Sequence, residues 1–209
     1  MKKTQHLLII IALFLSVIGT AFGEKSKEDV YNYLKNKYAD AKALTVDFEI
    51  KDVNAKGSLS VKRGNKYKIE FNDRIIVCDG KNLWNYDKAQ KKVILSSYEK
   101  DDESVNLEDF FFSFLRDYKP TAISVRKLEN GRGQYLLTLK PSSDSKKLNQ
   151  VNELILSIDI KTMKIASVSV DDADIFMTWE ISNLKTRKNL SDKIFDFRTP
   201  KGTELIDLR

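Results

Sequence analysis

VCDGKNLWNYD, residues 77–87, decides whether this chain carries a catalytic elbow or a pair of strands. It holds the single cysteine, Cys78, two carboxylates, Asp79 and Asp87, and two aromatic residues, Trp84 and Tyr86. Asp79-Gly80 is a two-residue hairpin signal between the apolar run IIVC and the mixed run KNLWNY. As a nucleophile, Cys78 would need a cation or base to lower its thiol pKa, and the adjacent carboxylate works the other way. It reads better as a small buried strand residue. Asp79, Asp87, Asp171, Asp172 and Asp174 all sit beside predicted turns, where aspartate bonds its own backbone. DDAD (171–174) lacks the further spaced ligands of a calcium loop.

Outward from the hairpin, the apolar residues keep period two. Val46, Phe48 and Ile50 alternate with acids, and Leu59 and Val61 with Ser60 and Lys62. Tyr67, Ile69 and Phe71 alternate with Lys68 and Glu70. Such alternation means an antiparallel sheet with one dry and one wet face. Further strands read at 93–98, 122–128, 134–140, 153–160, 164–171 and 174–182. Met177 and Trp179 share the dry parity of Ile175 and Ile181. The count is eleven strands. Before them, Ser26 caps a helix whose buried stripe is Val30, Leu34, Tyr38 and Ala41. Leu107, Phe110, Phe111, Phe114 and Leu115 fit a second, aromatic helix that stops before Pro120, and a third helical turn is expected near 190–195. The fold class is therefore α+β, mainly β, in one domain over residues 24–209.

Residues 1–23 are expected to be a cleaved signal peptide: Lys2 and Lys3, a short apolar run over 7–18, then Ala21-Phe22-Gly23. Cleavage would place the protein outside the cytoplasm and remove the only histidine, His6, and two of the cations behind the formal charge of +6. Without histidine, Ser-His-Asp and Cys-His catalysis and the usual zinc sites are excluded. Two-carboxylate chemistry stays open as an alternative, although the acids fall on wet-face or turn positions. No Gly-rich phosphate loop is present. The lysines alternate with acids instead of forming a stripe with stacking aromatics, so no nucleic-acid partner is expected. A weak attraction to anionic lipid surfaces stays open.

Arg63 continues the parity of Leu59 and Val61, so it points toward the dry face unless the strand has already ended there. The aromatic residues line that same face. They suit either a filled core or a sheet bent around a cavity under apolar helices, and periodicity does not separate the two.

Taken together, GSLSVKRGNKYKIEF (57–71), IIVCDGKNLWNYD (75–87) and the closing IFDFRTPKGTELID (194–207) resemble the periplasmic outer-membrane lipoprotein carriers of the LolA type. The resemblance implies an unclosed antiparallel β-barrel of about eleven strands, covered by about three α-helices and enclosing a hydrophobic cavity. It implies a monomeric, non-catalytic carrier without cofactor. Such a carrier takes acylated lipoproteins from an inner-membrane ABC transporter to an outer-membrane receptor. The family's lid-holding arginine corresponds to Arg63, and the aromatic after it to Tyr67. Gly64 stands where the family has proline. The ligand and lid surface expected on this basis is Phe48, Ile50, Leu59, Val61, Arg63, Tyr67, Ile69, Phe71, Trp84, Phe110, Phe111, Phe114, Met177 and Trp179. A same-fold binder of another amphiphile and an envelope-stress sensing module are the alternatives.

Overall fold

The computed structural model describes residues 25–98, 112, 115, 117–142, 151–172 and 175–209. One helix, α1 (Lys27–Ala39), precedes twelve strands: β1 (Ala43–Ile50), β2 (Ala55–Lys62), β3 (Lys66–Phe71), β4 (Arg74–Asp79), β5 (Asn82–Asp87), β6 (Lys92–Ser97), β7 (Tyr118–Lys127), β8 (Gly133–Pro141), β9 (Glu153–Asp159), β10 (Ile165–Asp172), β11 (Ile175–Arg187) and β12 (Glu204–Asp207).

Two antiparallel meanders, β1–β6 and β7–β11, join where β1 pairs with β11. All twelve strands form a single sheet in the order β12-β6-β5-β4-β3-β2-β1-β11-β10-β9-β8-β7. β12 and β7 are its two ends, so the sheet does not close. The eleven strands expected from alternation are all present. The twelfth is a four-residue strand laid parallel on β6, with Leu205 beside Val93 and Ile206 beside Ile94.

The helices depart further from expectation. Among the described residues α1 is the single α-helix longer than a turn. Ser26 caps it in a reciprocal capping box with Asp29, which satisfies two of its orphan donors. Val30 and Leu34 are fully buried against β7 and β8, as their spacing requires. Phe112, Leu115 and Asp117 have helical backbone. The rest of the expected second helix, with Phe110, Phe111 and Phe114, lies outside the described residues. The third is one 3-10 turn, Asp192–Phe195. Pro120 does not stop a helix at a boundary: it sits within β7, where the register shifts between Pro120 and Ala122. An end strand at a bulge is where a sheet tolerates a residue without an N–H.

The inner face carries two apolar clusters. In one, α1 and Leu115 pack on Tyr135, Leu137, Leu154, Leu156 and Ile158 of β8 and β9. The other gathers Leu44, Val46, Phe48, Leu59, Val61, Tyr67 and Cys78 of β1–β4. Ile181 and Leu184 of β11 touch both. Tyr31 stitches α1 to the helical segment, its hydroxyl donating to the carbonyls of Leu115 and Tyr118.

At the β3–β6 end apolar residues are buried on the outer face as well. Val77 pairs with Trp84, and Trp84 with Leu95, on the side opposite Cys78 and Leu83. There the C-terminal segment crosses the sheet, burying Phe195 and setting Phe197 6.1 Å from the ring of Trp84 and 6.0 Å from that of Tyr86. Asp192 anchors the segment to Lys62 at 2.7 Å and Lys66 at 3.2 Å.

Candidate functional site

Nine of the residues expected on the ligand surface are brought together on the inner face: Phe48, Ile50, Leu59, Val61, Tyr67, Ile69, Phe71, Met177 and Trp179 all belong to the β1–β4 cluster and its margin. Register explains the grouping. Val61 faces Tyr67, Leu59 faces Ile69, and Phe48 faces Gly57, whose missing side chain leaves room for the Phe48 ring. That ring lies 5.5 Å from Trp179. Trp84 is not part of this surface. Its parity, one residue after Leu83, turns it to the outer face against Phe197.

Arg63 settles between the two possibilities its parity left open. β2 ends at Lys62, so Arg63 is the first residue of a three-residue loop and is exposed. Its guanidinium nevertheless reaches over the inner face, 4.7 Å from the centre of the Phe112 ring. Gly64 (φ 93) and Asn65 (φ 58) complete the loop. A proline, held near −65°, could not adopt the backbone of Gly64. The Gly64 carbonyl packs onto the neighbouring hairpin, within 2.5 Å of where a Gly80 side chain would begin. The β4–β5 turn itself is Gly80-Lys81, one residue later than the Asp79-Gly80 expected. Asp79 ends β4 and accepts from the backbone N–H groups of Lys81 (2.8 Å) and Asn82 (2.7 Å). Those bonds hold its carboxyl below the usual range against the opposing effect of burial.

Cys78 is fully buried beside Tyr67. Burial first, and Asp79 second, push its thiol up to about 11. A thiol so placed is no nucleophile at neutral pH. Burial also raises the Tyr67 phenol well above its ordinary value.

Where the two clusters meet, an apolar pocket of about 70 Å³ remains. Its wall is Leu44 and Val46 of β1, Leu154 and Leu156 of β9, Ile165 and Val168 of β10, and Ile181 and Leu184 of β11. Tyr38 and Ala41, from the end of α1 and just beyond, and Phe112 complete it. Among the described residues no carboxylate lines it. It has room for a few water-sized bodies. The eleven described residues of the expected ligand surface contribute nothing to this wall. Alternation marks Val46, Leu154, Leu156 and Ile181 as dry. What it does not supply is where the packing falls short. Phe112 carries a weaker signal, the third residue of the run Phe110-Phe111-Phe112, on a flank that helical spacing does not select.

The comparisons agree with this architecture. Residues 40–198 match the family described as outer membrane lipoprotein carrier protein LolA. An outer-membrane lipoprotein carrier protein of Francisella tularensis is 25% identical over 99% of this chain and 98% of its own length. One from Haemophilus ducreyi is also 25% identical, over 100% of this chain and 98% of its own. The crystal structure of an uncharacterized conserved protein from Thermus thermophilus shares the fold, with a TM-score of 0.50 at 12% identity, covering 88% of this chain and 99% of that one. The family model spans most of the sheet, from the approach to β1 through the 3-10 turn, and on that match the chain belongs to the LolA family of outer membrane lipoprotein carrier proteins.

Proposed function

We propose that this chain is a periplasmic carrier that shields the acyl chains of lipoproteins in the interior of its open sheet. It would receive them from an inner-membrane ABC transporter and yield them to an outer-membrane receptor. The observation that carries this reading is the pocket at the seam of the two clusters, walled by hydrocarbon and bounded by Phe112 beneath the Arg63 guanidinium.

The energetics fit a shuttle. Each methylene of an acyl chain left in water costs roughly 0.8 kcal/mol. Moving the same chain from bilayer to a dry apolar pocket is close to neutral, because both surroundings exclude water. A small bias then decides which way cargo moves. About 70 Å³ does not hold an acyl chain, so cargo must displace side chains of this wall, Phe112 among them. Return of Phe112 to its place, helped by the Arg63–Phe112 contact, favours release.

The test mixes the protein with membranes loaded with a triacylated lipoprotein. The expected result is a soluble one-to-one complex whose acyl chains cross-link to probes at Leu44, Val168 or Ile181. A lipoprotein that stays in the membrane whatever the carrier concentration would refute the reading. A different amphiphile co-purifying at equal stoichiometry, identified by mass spectrometry, would redirect it.

A further inference from the structure

The strand that walls the apolar pocket also floors a polar groove of about 320 Å³ on the other face of the sheet. Leu44 and Val46 of β1 turn inward, while Thr45 and Asp47 turn outward. Register sets the rows across the groove. Thr45 lies between Ser60 of β2 and Lys185 of β11, and Ala43 between Lys62 and Arg187. A bulge at Asn183 (φ 51) shifts β11 by a residue between Thr45 and Asp47, and it brings Lys185 and Arg187 to the outer face.

The charges are unbalanced at this end. Asp47 is engaged, accepting from Asn183 Nδ2 at 2.7 Å, and Lys62 and Lys66 share Asp192. Lys185, Arg187 and the following Lys188 are exposed and pair with no described carboxylate. Lys42 is exposed beside them, and its carbonyl accepts from the N–H of Arg63, which brings a further cation to the same end. Asp40 is the nearby acid in sequence. The cations also border the pocket along the chain: Lys42 follows Ala41, and Lys185 follows Leu184.

We propose that this basic end of the sheet is a docking surface for an anionic phospholipid membrane, with the groove seating a phosphate-bearing headgroup. A guanidinium and an ammonium beside three hydroxyls supply the donors that phosphate oxygens accept, and the planar fork of arginine suits them best. A hydrophilic recess of this size fits one headgroup. The surrounding cations add attraction to the charged bilayer plane, each worth roughly fivefold in partitioning. Docking this way sets the acyl pocket against the membrane that supplies or accepts the chains. The proposal does not require the pocket to be loaded, so it stands or falls separately from the carrier reading.

Flotation of the cargo-free protein with phosphatidylcholine vesicles, with and without phosphatidylglycerol, tests it. The triple variant Lys185→Ala/Arg187→Ala/Lys188→Ala is compared with Lys51→Ala/Lys88→Ala/Lys91→Ala. The second triple makes the same charge change at the far end of the strands, where Lys88 bonds the β3–β4 loop. The expected result is binding to the anionic vesicles alone, weakening as salt rises, and reduced on the order of a hundredfold by the first triple but little by the second. Circular dichroism and the urea midpoint confirm that both variants fold. Equal losses in the two triples would mean a net-charge effect and overturn the site. So would indifference to phosphatidylglycerol. Binding confined to native envelope membranes and abolished by protease would overturn it in favour of an acidic protein surface.

Discussion

Arg63→Leu isolates the contact between a hairpin tip and the helical segment over the inner face. The guanidinium carbon lies 4.7 Å from the Phe112 ring centre, and Arg63 is exposed, so the contact is worth about 0.5–1 kcal/mol, the value for a solvated cation–π pair. Leucine keeps an apolar surface there but removes the charge. The opening equilibrium of the segment should therefore rise roughly two- to fivefold, that energy expressed as a ratio. Cys78 reports it. It is the chain's single thiol, has 0% of its surface exposed, and belongs to the cluster against which Phe112 packs. With its thiol pushed up to about 11, it reacts when the interior opens and the group regains its ordinary acidity. At mildly alkaline pH, with reclosing faster than modification, the rate of labelling by a small thiol reagent follows the opening constant. The expected outcome is labelling roughly two to five times faster in Arg63→Leu, with unfolding stability lowered by no more than the same about 0.5–1 kcal/mol. Arg63→Lys, which keeps a cation but not the planar face, should fall between. Labelling at the wild-type rate in Arg63→Leu would refute the idea that this pair holds the segment down.

Three more outcomes follow from particular contacts. Phe195→Ala should cost about 3–5 kcal/mol of stability in a urea titration, since the ring is 1% exposed under the C-terminal crossing, while cargo binding by the folded fraction is unchanged. Gly57→Ala should destabilise by about 1–3 kcal/mol in the same titration, because its methyl would begin 2.2 Å from the Glu70 carbonyl and 2.9 Å from the Phe48 ring; a neutral result would mean β2 and β3 can shift apart. Arg132, bonded to the buried Asp159 carboxylate at 2.6 Å, and then Thr162, hold that carboxyl at about 2. The resulting stabilisation is complete above an unfolded pKa of about 3.9 and disappears as pH falls toward 2. Arg132→Ala should flatten this acid limb in pH-dependent unfolding.

Much of this architecture is legible in the residues, and what is not has local causes. Period two identifies eleven strands from alternating apolar residues, a pattern that burial follows closely in β1 and β2 and hardly at all in β7, where Val125 is 40% exposed. It misses β12 because Glu204–Asp207 is four residues long, pairs parallel with an end strand and leaves Leu205 47% exposed. The same logic fails at Trp84. β5 carries apolar side chains on both faces, so Leu83 and Trp84, adjacent in sequence, enter different layers, and alternation cannot rank them. Parity and resemblance both single out Arg63, but neither supplies its loop position or the ring it meets. A ring stacked beneath a guanidinium is a tertiary meeting between residues 49 positions apart. The pocket is the least legible feature, since it arises where two well-packed clusters fail to mesh.

A closed barrel has a girth fixed by strand number and stagger. This sheet has two unjoined ends, β12 and β7, so closure does not fix its girth. A small change of twist at each seam can uncurl the ribbon while every ladder of hydrogen bonds stays intact. On the proposed carrier reading, capacity would then be graded: a longer or additional hydrocarbon tail would widen the hollow a little further without melting any strand.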